Sequence, residues 1–301
     1  MLPLPPIGFG CAALGAERGE GDDVALAVLH RALERGIAYF DTSPLYGSGR
    51  SEELLGRALE AAQGVVQVSS KVGYRTTSPY GSHPPSAQRE QDFSASFVGK
   101  SLECSLRRLR RSHLDLVLLH DPDTKMDEAF GRAWPVLEGL RREGVVGAIG
   151  IGTNSTAAAL AALERADLDA ILVAGRYTLL DRSAAKDLLP RCRSRGVKVI
   201  LAGVFNSGLL AGRGAPFTFD YAQPSAEVRR NLRALEAVCD RHGISLKAAA
   251  LRFVAGNADG ATMLVGPRSR SELDEILDLG GQAIPAECWS DLAAAVEASG
   301  R

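Results

Sequence analysis

The stretch DTSPLYG, from Asp41 to Gly47, follows directly on the apolar run Ile37 to Phe40. Three later stretches repeat this arrangement of an apolar run that ends in small or polar residues. They are SKVG (Ser70 to Gly73), LLHD (Leu118 to Asp121) and GIGTN (Gly150 to Asn154). If the runs are parallel strands of a closed barrel, the side chains just beyond their carboxyl ends converge on one mouth, where such folds carry their chemistry. The four stretches therefore predict a barrel with an aspartate, a tyrosine, a lysine and a histidine at its mouth.

Short apolar runs alternate with amphipathic stretches along the whole chain, which is the pattern of repeated strand and helix units around a parallel sheet. The predicted strands are Ile7 to Phe9, Ile37 to Phe40, Val65 to Ser69, Leu114 to Leu119, Ala148 to Ile151, Ala170 to Val173, Val197 to Ala202 and Thr262 to Val265. The predicted helices between them are Asp23 to Arg35, Ser51 to Ala62, Ser94 to Leu109, Asp127 to Glu143, Thr156 to Ala166, Ala184 to Arg195, Ala226 to His242 and Ser271 to Leu279. Extra helices are predicted late in the chain, at Leu246 to Val254 and Pro285 to Ala298. No linker-like change of composition divides the 301 residues, so residues 1–301 are predicted to form a single-domain α/β fold, a (β/α)8 TIM barrel.

Local signals predict several helix ends. Four glycines follow helical patterns, where a left-handed residue without a Cβ atom commonly ends a helix. They are Gly36, Gly144, Gly196 and Gly243. Ser51 and Ser94 are the predicted N-caps of the helices that begin there.

Composition excludes some classes of partner. The 35 basic and 36 acidic residues nearly cancel, and a net charge of -1 offers no electrostatic footprint for nucleic acid or an acidic membrane surface. The five cysteines are scattered and show no metal or redox spacing, so we expect no metal site and reduced, mostly buried thiols. The opening residues MLPLPP contain neither a basic segment nor an unbroken apolar stretch, so we expect no signal peptide and a cytoplasmic location.

A long polar and proline-rich loop, Gly73 to Asp92, follows the third strand. Loops of this length in compact domains are usually functional or disordered. Because this loop emerges at the predicted mouth, we favour a segment that covers substrate over a passive insertion.

The four residue types expected at the mouth suit proton transfer. A tyrosine has an ordinary pKa of about 10, so Tyr46 needs help to exchange a proton near neutral pH. The ammonium of Lys71 would stabilise its phenolate, and Asp41 would hold that lysine in place. His120 could then orient a substrate oxygen toward Tyr46. Each residue taken alone also has an ordinary structural explanation, such as a turn, a packed ring or a solvated charge.

Together these motifs resemble the aldo-keto reductase superfamily, from Gly8 to about Leu279. DTSPLYG, followed by SEELLG from Ser51 to Gly56, is the most specific part of the resemblance. The resemblance implies that Asp41, Tyr46, Lys71 and His120 are the catalytic tetrad. The segments AGRYTLL and GVFNSGLL, which begin at Ala174 and Gly203, look most like the sugar 1-dehydrogenase branch, with its L-fucose, D-threo-aldose and L-galactose dehydrogenases.

The same resemblance implies a nicotinamide dinucleotide across the mouth. Thr153 and Asn154 match positions that hold the nicotinamide carboxamide, although Asn154 could instead cap the next helix. The pyrophosphate would lie on the turn after strand seven, at Phe205, Ser207, Gly208 and Leu209. Ala174 and Ala202 stand where relatives carry a glutamine and a stacking tyrosine.

The adenosine end of the cofactor would bind after strand eight. The implied residues are Gly266, Arg268, Arg270, Glu272 and Glu275. Glu272 replaces an arginine that often contacts a 2′-phosphate, and a carboxylate there would repel that group and accept from ribose hydroxyls. This favours NAD over NADP, while Arg268 and Arg270 could still form another phosphate site.

We therefore expect oxidation of the C1 hydroxyl of a free aldose to the lactone, with a small-molecule sugar or alcohol as substrate. The predicted substrate contacts are Tyr74, Tyr80 and Arg176, and the chain is expected to be a monomer or small homo-oligomer. One alternative is a dehydrogenase or reductase of a non-sugar alcohol or aldehyde such as pyridoxal. Another is a cofactor-bound redox-sensing subunit with little turnover.

Overall fold

The computed structural model describes residues 2–15, 21–76, 89–212, 218–219, 222–258 and 260–299. Within them, parallel strands form a closed barrel in which each strand pairs with the next and the last pairs with the first. The strands are β1 (Ile7–Gly10), β2 (Tyr39–Asp41), β3 (Gln67–Val72), β4 (Leu114–His120), β5 (Val146–Thr153), β6 (Ala170–Ala174), β7 (Lys198–Ala202) and β8 (Thr262–Val265). The predicted (β/α)8 barrel is confirmed.

Helices surround the barrel in the order expected from the sequence. They are α1 (Ala12–Gly15), α2 (Gly21–Glu34), α3 (Arg50–Leu59), α4 (Ala95–Leu109), α5 (Met126–Glu128), α6 (Trp134–Arg142), α7 (Thr156–Leu163), α8 (Ser183–Lys186), α9 (Leu188–Ser194), α10 (Ala226–His242), α11 (Leu246–Asn257), α12 (Arg270–Gly280) and α13 (Ala286–Ser299). A π-helical turn, Ala129–Ala133, joins α5 to α6. The helix expected over Ala184 to Arg195 is instead divided into α8 and α9 at Asp187.

The third strand is shifted from its predicted position. Val65 is 88% exposed and lies outside β3, which begins at Gln67 and continues to Val72. The prediction stopped at Ser69 because Ser70 and Lys71 look like the start of a loop. Both are buried in the strand, where Lys71 pairs with Leu118 of β4. Lys71 therefore projects from the barrel wall and not from the loop beyond it.

The helix ends show both the strength and the limit of local signals. The four predicted glycines all have positive φ angles, Gly36 80°, Gly144 76°, Gly196 68° and Gly243 63°. The Ser51 cap is wrong, because α3 begins after Gly49 and Ser51 lies inside the helix. The Ser51 hydroxyl lies 2.8 Å from Thr42 Oγ1 and donates to Cys11 O over 3.0 Å, so it links the ends of β1 and β2. Ser94 does precede α4, but its side chain accepts no capping bond.

Side chains of the described residues fill the barrel interior. A buried cluster that includes Tyr39, Leu116, Leu172 and Ile200 occupies it, with Leu4 packed among them. The backbone just before β1 is held at the amino ends of the strands, where Thr262 at the start of β8 donates to Pro5 O over 2.7 Å. The carboxyl ends of the strands thus form the accessible mouth.

In the described part of the chain, no helix is both long and apolar enough to span a membrane. All five cysteines are free, and four of them are buried, as expected from their scattered positions; Cys104 is half-buried.

Candidate active site

Lys71 and Asp41 form a buried ion pair at the mouth. Lys71 Nζ lies 2.5 Å from Asp41 Oδ1, and the lysine side chain is only 2% exposed. The same Nζ donates to the backbone oxygen of Thr42 over 2.8 Å. An ion pair this deeply buried needs such extra hydrogen bonds to offset the loss of hydration. The Lys71 side chain is therefore held in one position and stays protonated.

The second oxygen of Asp41 is held by a chain of hydroxyl groups inside the barrel. Ser69 Oγ donates to Asp41 Oδ2 over 2.7 Å, and Tyr39 OH lies 2.8 Å from Ser69 Oγ. Because the Ser69 proton goes to the carboxylate, the tyrosine donates to the serine. Burial and the nearby Asp41 charge raise the pKa of Tyr39, so its hydroxyl keeps the proton that this chain requires.

Tyr46 reaches Lys71 from the tight turn that follows β2. Lys71 Nζ lies 4.8 Å from the centroid of the Tyr46 ring. Burial alone would lower the pKa of Lys71, but the Asp41 carboxylate and the Tyr46 oxygen together raise it above the ordinary lysine value. By the same interaction the ammonium favours the phenolate form of Tyr46.

The turn that carries Tyr46 is fixed by two glycines from different segments. Gly47 has a φ angle of 64°, and a Cβ atom there would lie 1.9 Å from Gly15 O. A Cβ atom on Gly15 would lie 2.5 Å from the carbonyl carbon of Tyr46. The backbones of α1 and of the turn therefore touch directly, and this contact requires glycine on both sides.

His120, the last residue of β4, stands edge-on to the Tyr46 ring with the ring centroids 5.9 Å apart. His120 Nδ1 lies 3.2 Å from Ser43 Oγ, and the same oxygen accepts from Leu45 N over 3.2 Å. The Ser43 hydroxyl can donate its own proton to Nδ1. This arrangement favours the tautomer whose Nε2 carries the proton and can donate to a substrate oxygen.

Asp121 and Tyr74 stand next to His120 on the same side of the mouth. Asp121 Oδ2 lies 3.9 Å from His120 Nε2 and accepts from Tyr74 OH over 3.3 Å. The Tyr74 ring is perpendicular to the His120 ring at 5.1 Å. Burial and the neighbouring Asp123 raise the pKa of Asp121 to about 6. Tyr80, and residues 77–88 of the loop expected to cover substrate, lie outside the described residues.

Comparison with known proteins identifies the scaffold. The model of the aldo/keto reductase family matches residues 6–297. The chain belongs to this family. Its sequence is 38% identical to D-threo-aldose 1-dehydrogenase of a Pseudomonas species, over 98% of this chain and 94% of the relative. It is 33% identical to pyridoxal 4-dehydrogenase of Microbacterium luteolum, over 97% and 94% of the two chains.

A plant relative and a solved structure agree with this assignment. L-galactose dehydrogenase of Arabidopsis thaliana is 30% identical over 98% of this chain and 92% of the relative. The structure of a glycerol dehydrogenase from Gluconobacter oxydans superposes with a TM-score of 0.80 at 27% identity, covering 99% of this chain and 93% of the other. This aldo/keto reductase is therefore an oxidoreductase with a tetrad-like cluster at its barrel mouth.

Two residues expected near the nicotinamide of an aldo/keto reductase lie at the end of β5. Thr153 Oγ1 donates to Asp123 over 2.7 Å and accepts from Ser155 N over 2.9 Å. Asn154 is exposed, and Ser155, not Asn154, caps α7. Arg176 donates to Asn154 O over 2.7 Å and to Asp181 over 2.6 Å, so it ties the loops after β5 and β6 together.

The turn after β7 has a backbone suited to an anion. Asn206, Ser207 and Gly208 have successive positive φ angles of 45°, 57° and 104°. Concave backbone of this kind binds phosphate groups. Asn206 fixes the turn by accepting from Thr178 over 2.6 Å and donating to Gly175 O over 3.2 Å.

The other turn residues differ in exposure. Ser207 is exposed, Phe205 and Gly208 are half-buried, and the Leu209 side chain is buried in the core. Leu209 can therefore face a cofactor only through its backbone.

The segment after β8 is held by hydrogen bonds at the N-terminus of α12, where Ser269 is the N-cap. Glu272 N donates to Ser269 Oγ over 3.1 Å, and Glu272 Oε2 accepts from Arg268 N over 2.8 Å. Glu275 accepts from Lys247 over 2.7 Å. Gly266 and the side chains of Arg268, Arg270 and Glu275 are exposed. The acidic residues therefore have structural partners in addition to the cofactor role expected from sequence.

Four residues without a predicted role hold the site together. They are Ser43, Ser69, Tyr39 and Asp121. Ser43 and Asp121 lie inside the quoted motifs, so their position beside Tyr46 and His120 was the available signal. Ser69 lies opposite Asp41 in the pairing of β2 with β3 and could not be linked to it without the strand register.

Proposed function

We propose that this aldo/keto reductase oxidises the C1 hydroxyl of a free aldose, of the L-fucose, D-threo-aldose or L-galactose type, to the corresponding lactone. The observation that carries the proposal is the contact of buried Lys71 with Tyr46 beside His120 at the barrel mouth. The 38% identity with a D-threo-aldose 1-dehydrogenase supports the aldose class. Glycerol and L-galactose, named for two further relatives, are also polyhydroxylated.

Tyr46 acts as the general base in this direction. Its phenolate, stabilised by Lys71, takes the proton of the C1 hydroxyl while the C1 hydrogen leaves as hydride and the C1 to oxygen double bond forms. A bound nicotinamide dinucleotide supplies the hydride acceptor. The proton on Tyr46 then passes to solvent, and the same groups run in reverse for carbonyl reduction.

His120 fixes the oxygen that reacts. With Ser43 donating to Nδ1, Nε2 carries the ring proton and donates it to the C1 oxygen. The oxygen then lies between Tyr46 and His120, whose rings are perpendicular. Such positioning of the reacting atoms is a large part of the rate gain expected from an enzyme.

The mouth also fits a dinucleotide. The left-handed turn at Ser207 and Gly208 is suited to a pyrophosphate, and Thr153 and Asn154, at the end of β5, would hold the nicotinamide side. Gly266, Arg268, Arg270, Glu272 and Glu275 would take the adenosine end. We favour NAD over NADP because the Glu272 carboxylate stands at the start of α12, where it would repel a 2′-phosphate.

A second candidate substrate is pyridoxal, favoured by the 33% identity with a pyridoxal 4-dehydrogenase. The proton-transfer groups would serve it equally well. A pocket that accepts pyridoxal binds one aromatic ring, whereas an aldose requires partners for several hydroxyl groups.

The test is a panel of initial rates with L-fucose, D-arabinose, L-galactose and pyridoxal, each with NAD+ and with NADP+. The proposal expects an aldose with NAD+ to give the highest kcat/KM and the lactone as product. A higher kcat/KM with pyridoxal would overturn it in favour of the second candidate. Very slow turnover with every compound would favour the redox-sensing subunit.

A further inference from the structure

We propose that Asp121 recognises the C2 hydroxyl of the substrate and so selects an aldose over alcohols without a neighbouring hydroxyl. This inference rests on the proposed aldose oxidation. It adds a specificity-determining residue that lies next to His120 in the chain and next to the reacting oxygen in space.

The backbone of Asp121 is held in an unusual conformation. Its φ and ψ angles are 48° and 56°, in the left-handed region that side chains other than Asn, Asp and Gly seldom adopt. Asp121 N donates to Gly152 O over 2.8 Å, and Gln91 Nε2 donates to Asp121 O over 2.7 Å. Strand β5 and the segment before α4 therefore hold this residue in place, with its carboxylate beside His120.

The Asp121 carboxylate can accept further hydrogen bonds. Among the described residues, Asp121 Oδ2 accepts only from Tyr74 OH, and the 3.9 Å to His120 Nε2 is too long for a hydrogen bond. A carboxylate offers about four lone-pair positions on its two oxygens. With its side chain 33% exposed, Asp121 can accept from a substrate hydroxyl at the mouth.

The position of the carboxylate points to one hydroxyl. His120 Nε2 would hold the C1 oxygen, and the acceptor lies 3.9 Å from that nitrogen. In an aldose ring, C1 is bonded to the ring oxygen and to C2, and of these two atoms only C2 carries a hydroxyl. The C2 hydroxyl is therefore the nearest donor that the substrate can present to Asp121.

Tyr74 positions the carboxylate. Its hydroxyl donates to Asp121 Oδ2, and its ring stands edge-on to the His120 ring with the centroids 5.1 Å apart. Asp121 still carries its charge at neutral pH, because the site raises its pKa only to about 6. A substrate without the C2 hydroxyl would bury this charge without adding a hydrogen bond beyond that from Tyr74, and a buried polar group left short of partners is what gives a site its strongest discrimination.

The test compares the parent aldose with its 2-deoxy analogue in the unaltered enzyme and in Asp121→Asn. Asparagine tolerates the left-handed backbone and keeps a carbonyl to accept from Tyr74. We expect kcat/KM of the unaltered enzyme to fall about 10- to 100-fold on the 2-deoxy sugar, the range for a hydrogen bond to a charged group. Asp121→Asn should lose a similar factor on the parent aldose and stay within about threefold of the unaltered enzyme on the 2-deoxy sugar.

Asp127→Asn is the matched control, since this carboxylate also follows β4 but is 96% exposed and pairs with Arg165. Asp127→Asn should leave kcat/KM unchanged for both the parent aldose and the 2-deoxy sugar. Titration of each variant with NAD+, followed by protein fluorescence, should give the same dissociation constant. Equal losses by Asp121→Asn on both sugars, or no loss on the parent aldose, would overturn the inference alone. Failure of the unaltered enzyme to oxidise any aldose would overturn both this inference and the proposed function.

Discussion

Lys71 Nζ lies 4.8 Å above the ring of Tyr46 while it is bonded to Asp41 Oδ1 at 2.5 Å. The lysine thus connects a buried carboxylate to a partly buried phenol. Asp41 fixes the ammonium of Lys71, and this ammonium favours the phenolate of Tyr46. A substitution among the residues that hydrogen-bond Asp41 should therefore change the proton affinity of Tyr46.

Ser69→Ala removes the second hydrogen bond to Asp41 and leaves the buried Tyr39 hydroxyl without its partner. We expect kcat to fall by about tenfold and stability by about 1–3 kcal/mol, the cost of an unsatisfied buried group. The acidic limb of the kcat profile should move to higher pH, because a less constrained Lys71 stabilises the phenolate less well. Tyr39→Phe removes only the far end of the chain and should have the smaller effect. A pH profile unchanged by Ser69→Ala would show that the hydroxyl chain has only a structural role.

Gly47→Ala should damage catalysis through the backbone. The new Cβ atom would meet Gly15 O at 1.9 Å, so the turn that carries Tyr46 must move. We expect a loss of kcat of at least tenfold together with a lower Tm. Gly36→Ala is the control, because that residue also has a positive φ angle, 80°, but nothing within 4 Å of the added atom. It should cost about 1 kcal/mol of stability and leave kcat unchanged. Equal kcat values for the two variants would contradict the role assigned to the glycine contact.

Glu52→Gln should reveal a buried ion pair that stabilises the wall behind Lys71. Glu52 is fully buried, pairs with Arg108 at 2.6 Å and accepts from Ser70 Oγ over 2.6 Å. Because Arg108 is 25% exposed and can be hydrated, we expect the loss of Glu52 to cost about 1.5–3 kcal/mol, the usual range for hydrogen bonds to a charged group. Glu103→Gln, in the exposed pair with Arg107, should cost less than about 0.5 kcal/mol. Urea unfolding of both variants measures the difference, and similar midpoints would refute it.

Much of this site was predictable because three members of the predicted tetrad lie at or near the ends of successive strands. Asp41 and His120 end β2 and β4, and Lys71 is the residue before the end of β3. Their apolar runs and their order are visible in the sequence, as is the turn that brings Tyr46 back.

The remaining features depend on tertiary contacts that carry no local signal. Ser51 is a residue type that commonly caps helices, but its hydroxyl instead contacts Cys11 O and Thr42 Oγ1. From its sequence position, Glu52 resembles a solvent-exposed acid in the first turn of a helix. The burial of Glu52 follows only from the packing of α3 on α4, which brings Arg108 to its carboxylate. Which oxygen accepts from which serine likewise depends on the register of Asp41 opposite Ser69.

The pH dependence of substrate binding should follow Asp121. With a pKa of about 6 it loses its charge below that pH, so KM for an aldose should rise as the pH falls through 6. The groups that face or influence this carboxylate are Tyr74, His120, Asp123, Lys71 and Arg89. In Asp121→Asn the rise of KM at low pH should be absent if Asp121 causes it. The rise should remain if His120 causes it.

The same carboxyl group should lower the stability of the fold. Its folded pKa lies above the unfolded value of about 3.9, so ionised Asp121 disfavours folding above pH 6, and the effect disappears below about pH 4. Asp121→Asn should therefore raise Tm at pH 7 and leave it unchanged near pH 3.5. A variant that is less stable at pH 7 would contradict this sign.

The central claim is that the Tyr46 hydroxyl exchanges the proton under the influence of Lys71. Tyr46→Phe keeps the ring beside His120 and Lys71 but removes the one atom that can take the proton. The direct measurement is single-turnover reduction of NAD+ by an aldose, with the dissociation constant of NAD+ determined on the same preparation. We expect an unchanged dissociation constant and a rate lower by about 100- to 10,000-fold, the usual contribution of a positioned acid or base. Turnover equal to that of the unaltered enzyme would contradict the account.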